Sequence, residues 1–199
     1  MSPYIETIKL LNGELKNLRY HQERFERTRS LALGLKKHPE LGQIIQIPGG
    51  LDRGLYKCRV VYGKEIERFE FETQIRHVVN SMKVVNSDTI SYNHKSADRS
   101  ELDALYQLRG TCDDIMIVKN GFVTDSYYAN IVFWDGHDWF TPHIPLLPGT
   151  MRAYLLDNKT IQERHITIEN LGNYQKIKLI NAMNDLTDGA EIPMDAVMR

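Results

Sequence analysis

The chain has 199 residues, with 25 basic and 26 acidic side chains and a formal net charge of -1 at neutral pH. Acids interleave its local basic clusters, such as Arg24, Arg27 and Arg29, so neither a nucleic-acid-binding stripe nor a polybasic membrane patch is expected. The two cysteines, Cys58 and Cys112, lack Cys-x-x-Cys spacing, which argues against a disulfide scaffold or thiolate metal site and for free thiols in a reducing compartment.

The opening Met1-Ser2-Pro3-Tyr4-Ile5-Glu6-Thr7 has no basic segment followed by an apolar run, so no signal peptide is expected. No stretch reaches the roughly 20 apolar residues of a membrane span, and a cytoplasmic location is expected. Residues 4–10 predict a strand, Asn12-Gly13 a hairpin turn, and residues 14–16 a returning strand. Residues 18–35 predict a surface helix with an apolar stripe of Leu18, Phe25, Leu31 and Leu35, and Pro39 lies beyond its end. Residues 41–50 run to a Pro-Gly-Gly turn, and strands are predicted at 55–62, 66–72 and 78–85. Residues 1–85 thus read as a small α+β domain, an antiparallel sheet with a helix packed on it.

Residues 86–92 read as a linker, and residues 93–199 as a larger second domain. Residues 100–108 predict a helix with Leu102, Leu105 and Leu108 near one face, stopped by Gly110. Strands are predicted at 115–118, 131–134 and 139–141, with a turn at Asn120-Gly121. Residues 142–149 form a proline-rich loop of a kind that can wrap a ligand. A helix at 151–156 opens immediately after Gly149, and short strands are predicted at 166–168 and 176–180.

Lys95, in Tyr92-Asn93-His94-Lys95-Ser96-Ala97-Asp98-Arg99, carries the chemistry. A lysine amine forms imines with carbonyl compounds when partial desolvation keeps it nucleophilic. Taken alone it reads as a solvated lysine, because lysines usually snorkel to water. About thirty residues later comes Gly121-Phe122-Val123-Thr124-Asp125-Ser126-Tyr127-Tyr128-Ala129-Asn130, with a carboxylate and an amide on a polar strand entry. His21 and His94 lack acids or cysteines at metal-ligand spacing, and no metal is expected.

Ordered blocks along the chain resemble the class IV aminotransferases, pyridoxal-phosphate proteins of fold type IV. These blocks are Glu6-Thr7-Ile8 with Asn12-Gly13, His21-Gln22-Glu23-Arg24-Phe25, and Lys95 with Arg99. Further along they are residues 114–130, Thr141-Pro142 and Leu147-Pro148-Gly149-Thr150-Met151-Arg152. The lysine segment and Ala129-Asn130 lean toward the 4-amino-4-deoxychorismate lyase branch. The resemblance implies a mixed α/β, two-domain fold in shortened form, with pyridoxal 5'-phosphate as cofactor. Lys95 then matches the Schiff-base lysine, Arg24 the phosphate-binding arginine, and Asp125 the family's glutamate at the pyridine nitrogen. Gly149, Thr150 and Met151 match the phosphate-binding turn into a helix, and Asn130 supports the site. Arg59 and Tyr127 are further candidates for substrate contact.

Three departures accompany the match. Asp125 is one methylene shorter than the family's glutamate. The hydroxyl expected at Met151 sits instead on Thr150, and Ala182 stands where a serine or threonine adds a phosphate contact. The implied reaction converts 4-amino-4-deoxychorismate to 4-aminobenzoate and pyruvate. The alternatives are transamination of a branched-chain or D-amino acid, or a non-catalytic descendant that binds a small anion or a protein. A homodimer acting on a small amine or amino acid is expected, without nucleic acid or membrane partners.

Overall fold

The computed structural model describes residues 2–75 and 78–199. Two compact units divide the chain. The first comprises Met1–Arg76 and His94–Asp98, the second His77–Asn93 and Arg99–Arg199.

In the first unit, β1 (Tyr4–Leu11), β2 (Glu14–Leu15), β3 (Leu55–Tyr62) and β4 (Ile66–Thr73) form an antiparallel sheet in the order β2-β1-β3-β4. Asn12 and Gly13 have φ of 51° and 80°, the positive values a tight two-residue hairpin needs. The register pairs Ile8 with Cys58 and Glu6 with Val60. Directly opposed residues share a face, so Glu6 lies on the same side as the apolar residues. That face packs on α1 (Leu18–Leu33), where Phe25 meets Tyr62 edge-on at 4.7 Å between centroids. Gly34 ends the helix in the left-handed conformation, its N–H reaching Ser30 O. A short helix, α2 (Leu41–Ile44), where only a run into a turn was expected, adds Leu41 to the same core.

The expected apolar stripe of α1 is corrected. Leu31 is 72% exposed, and the buried residues are His21, Arg24, Phe25, Thr28 and Arg29. The helix turns a mainly polar face inward because Glu6, on the sheet beneath it, supplies a buried partner.

The second unit is built on β5 (Met82–Asn86), β6 (Asp114–Lys119), β7 (Phe122–Ser126), β8 (Asn130–Trp134), β9 (Trp139–Pro142) and β10 (Gln162–Arg164), joined in sequence order. The expected third strand of the first sheet is β5 in this one, parallel to β6. Between them α3 (Ser100–Tyr106) runs into a 3-10 turn ended by Gly110, and Leu108 is exposed, not on the buried face. Asn120 and Gly121 (φ 50° and 80°) turn β6 back into β7. After α4 (Thr150–Asp157), β11 (Lys176–Ile180) pairs along all of β8. The predicted strand at 166–168 is replaced by β10, leaving only a bridge from Thr167 to Phe122. Two tail strands that the sequence did not signal, β12 (Ile192–Pro193) and β13 (Val197–Met198), add to β11 and β5. Its largest core cluster centres on Met82, Met116, Ile131, Phe133 and Ile177.

Candidate active site

In the first unit, two neighbouring residues of β1 hold two candidate residues. Ile5 N donates to Lys95 O at 2.9 Å, and Ala97 N donates to Pro3 O at 2.8 Å. A bridge between Tyr4 and Ser96 completes this seam, so the Lys95 segment lies as a short extra rung along the edge of β1. Glu6, the next residue, accepts from Arg24 at both oxygens, Nε to Oε1 at 2.9 Å and Nη2 to Oε2 at 2.6 Å. His21 Nδ1 lies 2.6 Å from the same Oε2. Glu6 and His21 are wholly buried and Arg24 is 5% exposed.

Burial alone would raise the Glu6 pKa, but the Arg24 charge and the His21 and Arg24 hydrogen bonds outweigh it and hold it at about 2. Burial pushes the His21 pKa down, against the pull of Glu6 and with the charges of Arg24 and Lys95 adding to the depression. His21 is therefore a neutral partner of a carboxylate whose charge is answered by Arg24. A two-pronged carboxylate contact fixes the guanidinium plane, and Nη1 takes no part in it. Glu6 is the site residue that the sequence motifs do not single out, although its place on the apolar face follows from strand alternation.

Arg59 lies on the other face of the sheet, between Thr7 and Glu70 in register. Its Nε is buried, 3.8 Å from Glu70 Oε2, with no hydrogen-bond partner among the described residues.

In the second unit, Asp125 and Asn130 are the register pair that closes β7 against β8. Asn130 Nδ2 donates to Asp125 Oδ1 at 2.7 Å, and Leu147 N donates to Asp125 Oδ2 at 2.9 Å. Burial pushes the Asp125 carboxyl up to about 6, partly opposed by these bonds and by the Arg152 charge. The Leu146 N–H is a further backbone partner of this carboxylate, which leaves about one of its roughly four acceptor positions open.

Gly149 stands as the extended N-cap of α4, with Thr150 and Met151 buried in its first turn. A glycine cap has no side chain with which to cover the first-turn N–H groups, which suits an anion. Arg152 Nη2 donates to Pro142 O at 2.8 Å and to Glu163 Oε1 at 2.6 Å. Near Ala182, Asn181 Oδ1 accepts from Met183 N at 2.9 Å and Asn184 N at 3.1 Å, so this turn satisfies two of its amides internally.

Tyr127 is half-buried and stacks on Tyr106 at 4.1 Å, and its hydroxyl donates to Asp103. Arg99 Nη2 donates to Tyr127 O at 2.6 Å, and its guanidinium carbon lies 4.2 Å from the Tyr128 ring centre. The structure thus gathers Lys95 and Arg24 in one unit, and Asp125, Asn130, Gly149, Thr150, Met151 and Tyr127 in the other. Among the described residues no group of histidines, cysteines and acids could hold a metal ion, and no helix is long and apolar enough to cross a membrane.

Comparison with known proteins identifies the family. The family described as amino-transferase class IV matches residues 70–192. An uncharacterized Haemophilus influenzae protein is 40% identical over 188 residues, 94% of this chain and 100% of that one. A crystal structure of a Haemophilus somnus 129PT protein, provisionally described as a 4-amino-4-deoxychorismate lyase, superposes with a TM-score of 0.88. It is 38% identical, over 94% of this chain and 98% of that one. An aminotransferase-like protein of Mycobacterium tuberculosis, solved in a pyridoxal-phosphate-bound form, shares the fold at a TM-score of 0.77. Identity there is 16%, over 96% of this chain and 80% of that one. This chain belongs to the class IV aminotransferase family of enzymes.

Proposed function

We propose that the protein is a pyridoxal-phosphate-dependent lyase that converts 4-amino-4-deoxychorismate to 4-aminobenzoate, a folate precursor, and pyruvate. One observation carries the cofactor reading. Ile5 and Glu6, adjacent in β1, fix the Lys95 backbone and the Arg24 guanidinium respectively. A carbonyl-capturing amine and a phosphate-binding fork are thereby set by one stretch of strand. The residues fit the cofactor: a pre-oriented guanidinium and a glycine-led helix entry suit a phosphate, and a buried carboxyl suits a ring nitrogen.

When bound, pyridoxal phosphate supplies an aldehyde carbon and an electron-withdrawing ring. The protein does the rest. Arg24 and the Gly149–Met151 amides would hold the phosphate, and Asp125 would accept from the pyridine nitrogen. Lys95 Nζ would take the proton from the substrate carbon that bears the amine, the neighbouring ring C–O bond to the enol ether would break, and Lys95 would return the proton to the methylene carbon of the departing enolpyruvate to give pyruvate. Arg59 is proposed to meet a substrate carboxylate, and Tyr127 to wall the site. The description of the Haemophilus somnus relative supports the lyase over the transaminase reading. The proposed assembly is a cytoplasmic homodimer.

The test is spectroscopic and chemical. Purified protein with pyridoxal phosphate is expected to show a visible absorption band that borohydride bleaches, leaving a pyridoxyl group on Lys95 by mass spectrometry. Lys95→Ala abolishes both. Release of pyruvate with 4-aminobenzoate then supports the lyase. A keto acid with aminated cofactor in their place overturns it, and no band at all removes the cofactor reading.

A further inference from the structure

Residues 143–149 have no regular structure, and Pro145 and Pro148 lack backbone N–H donors. Such a segment cannot be held as a strand, so its placement depends on a few contacts. At its start Arg152 holds Pro142 O, and His143 N donates to Arg164 O at 3.0 Å. Leu146 is buried among Val85, Ile90 and Leu102. Leu147 is gripped from both sides of its peptide. Its N–H goes to Asp125 Oδ2 at 2.9 Å, and its C=O accepts from Asn130 Nδ2 at 2.9 Å. The two side chains present to Leu147 one acceptor and one donor, as a neighbouring strand would. The same Asn130 amide also donates to Asp125, so the three groups form one network. Two residues on, a Cβ built on Gly149 would come within 2.0 Å of Asn130 Oδ1.

We infer that Asp125 and Asn130 form a latch that fixes the 143–149 loop at Leu147 and so sets the Gly149–Met151 turn. Asn130 is then a positioning residue for the anion cradle, and its amide is the reason that residue 149 is glycine. This rests on the reading of that turn as a phosphate site. Asp125 thereby acts twice, since the carboxylate that faces the ring nitrogen in the proposed site also holds the loop that carries the phosphate donors. The shorter aspartate keeps its carboxylate level with Asn130, its register partner.

The latch is tested in cofactor-free protein by hydrogen exchange at the Leu147 amide. Asn130→Leu removes the donor at nearly constant size, and Asp125→Asn leaves one amide group unable to accept at both positions. Each is expected to lower Leu147 protection about tenfold, the worth of one hydrogen bond, with the tryptophan-reported melting transition retained. Unchanged protection in both folded variants overturns the latch. A second arm compares binding of pyridoxal phosphate with that of pyridoxal. Asn130→Leu is expected to weaken the phosphorylated form about tenfold more than pyridoxal, whereas an equal loss for both forms would overturn the positioning role. If the wild-type protein does not prefer the phosphorylated form, the phosphate reading of the turn fails, and the exchange result still decides the latch.

Discussion

A single carboxylate decides how the first unit presents its chemistry. Glu6 is buried without access to water, and only Arg24 and His21 keep it ionised. Breaking a buried ion pair from one side strands the other charge, at a cost of about 3–5 kcal/mol. Glu6→Gln is therefore expected to destabilise the protein by about that much in denaturant unfolding, and to weaken pyridoxal-phosphate binding because Arg24 loses its fixed plane. Retained stability would mean that water or another acid compensates. Lys95 differs in how it can be read. It is legible as chemistry because a lysine in that ordered company has few other uses. Glu6 enters the sequence only as part of a strand motif, yet alternation with Ile8 already places it toward the core. Its partner lies 18 residues away on α1. That pairing is a tertiary fact, and no local pattern encodes it.

At the level of elements, the entry to α4 depends on the β7–β8 turn. Gly149 is not in a left-handed conformation, so its need for glycine comes from space alone. Gly149→Ala must displace Asn130, either tearing it from Asp125 and Leu147 or shifting the helix entry. Such overpacking costs about 1–3 kcal/mol. The expected outcome is a lower melting temperature and weaker phosphate-dependent cofactor binding, partly relieved in stability by a second change, Asn130→Ala. An unperturbed melting temperature in Gly149→Ala would sink this account. Elements bounded by strong turn chemistry are legible: Asn12-Gly13, Asn120-Gly121 and Gly110 fall at element ends, and β3 and β11 run over the predicted residues. Assignment by apolar count fails. Apolar spacing gives Leu31 and Leu108 to buried faces, but the first, about two turns beyond Arg24 near the end of α1, stays exposed, and the second enters a 3-10 turn that rotates it to solvent. Sequence adjacency favours neighbours and so places β5 with the first sheet. Its pairing with β6 across α3 is a parallel crossover that strand patterns do not announce.

The two units should answer pH in opposite directions. Glu6 has a folded pKa of about 2 against an ordinary 4.5, so its contribution is present above 4.5 and lost as pH falls toward 2. His21, depressed by burial below 6.5, also costs stability as pH falls below that value. Both lie in the first unit, which gains stability as pH rises toward neutrality. In the second unit burial raises Asp114 and Asp125 from 3.8 to about 6. A raised carboxyl contributes stability below 3.8 that is lost as pH climbs through 6, and a shift of this size amounts to about 3 kcal/mol for each group. Trp134 and Trp139, the two tryptophans of the chain, belong to the second unit, so fluorescence follows that unit alone. Between pH 4 and pH 6.5 the tryptophan-reported unfolding midpoint is expected to fall. Over the same range, exchange protection of β1 and α1 amides, corrected for intrinsic rates, is expected to rise. Asp114→Asn keeps an oxygen for the Ile115 and Tyr127 amides and removes one titrating group, so it should flatten the fluorescence trend by about half. Parallel trends in the two probes would show that the units unfold as one, with the carboxylate and histidine terms summed across the whole chain.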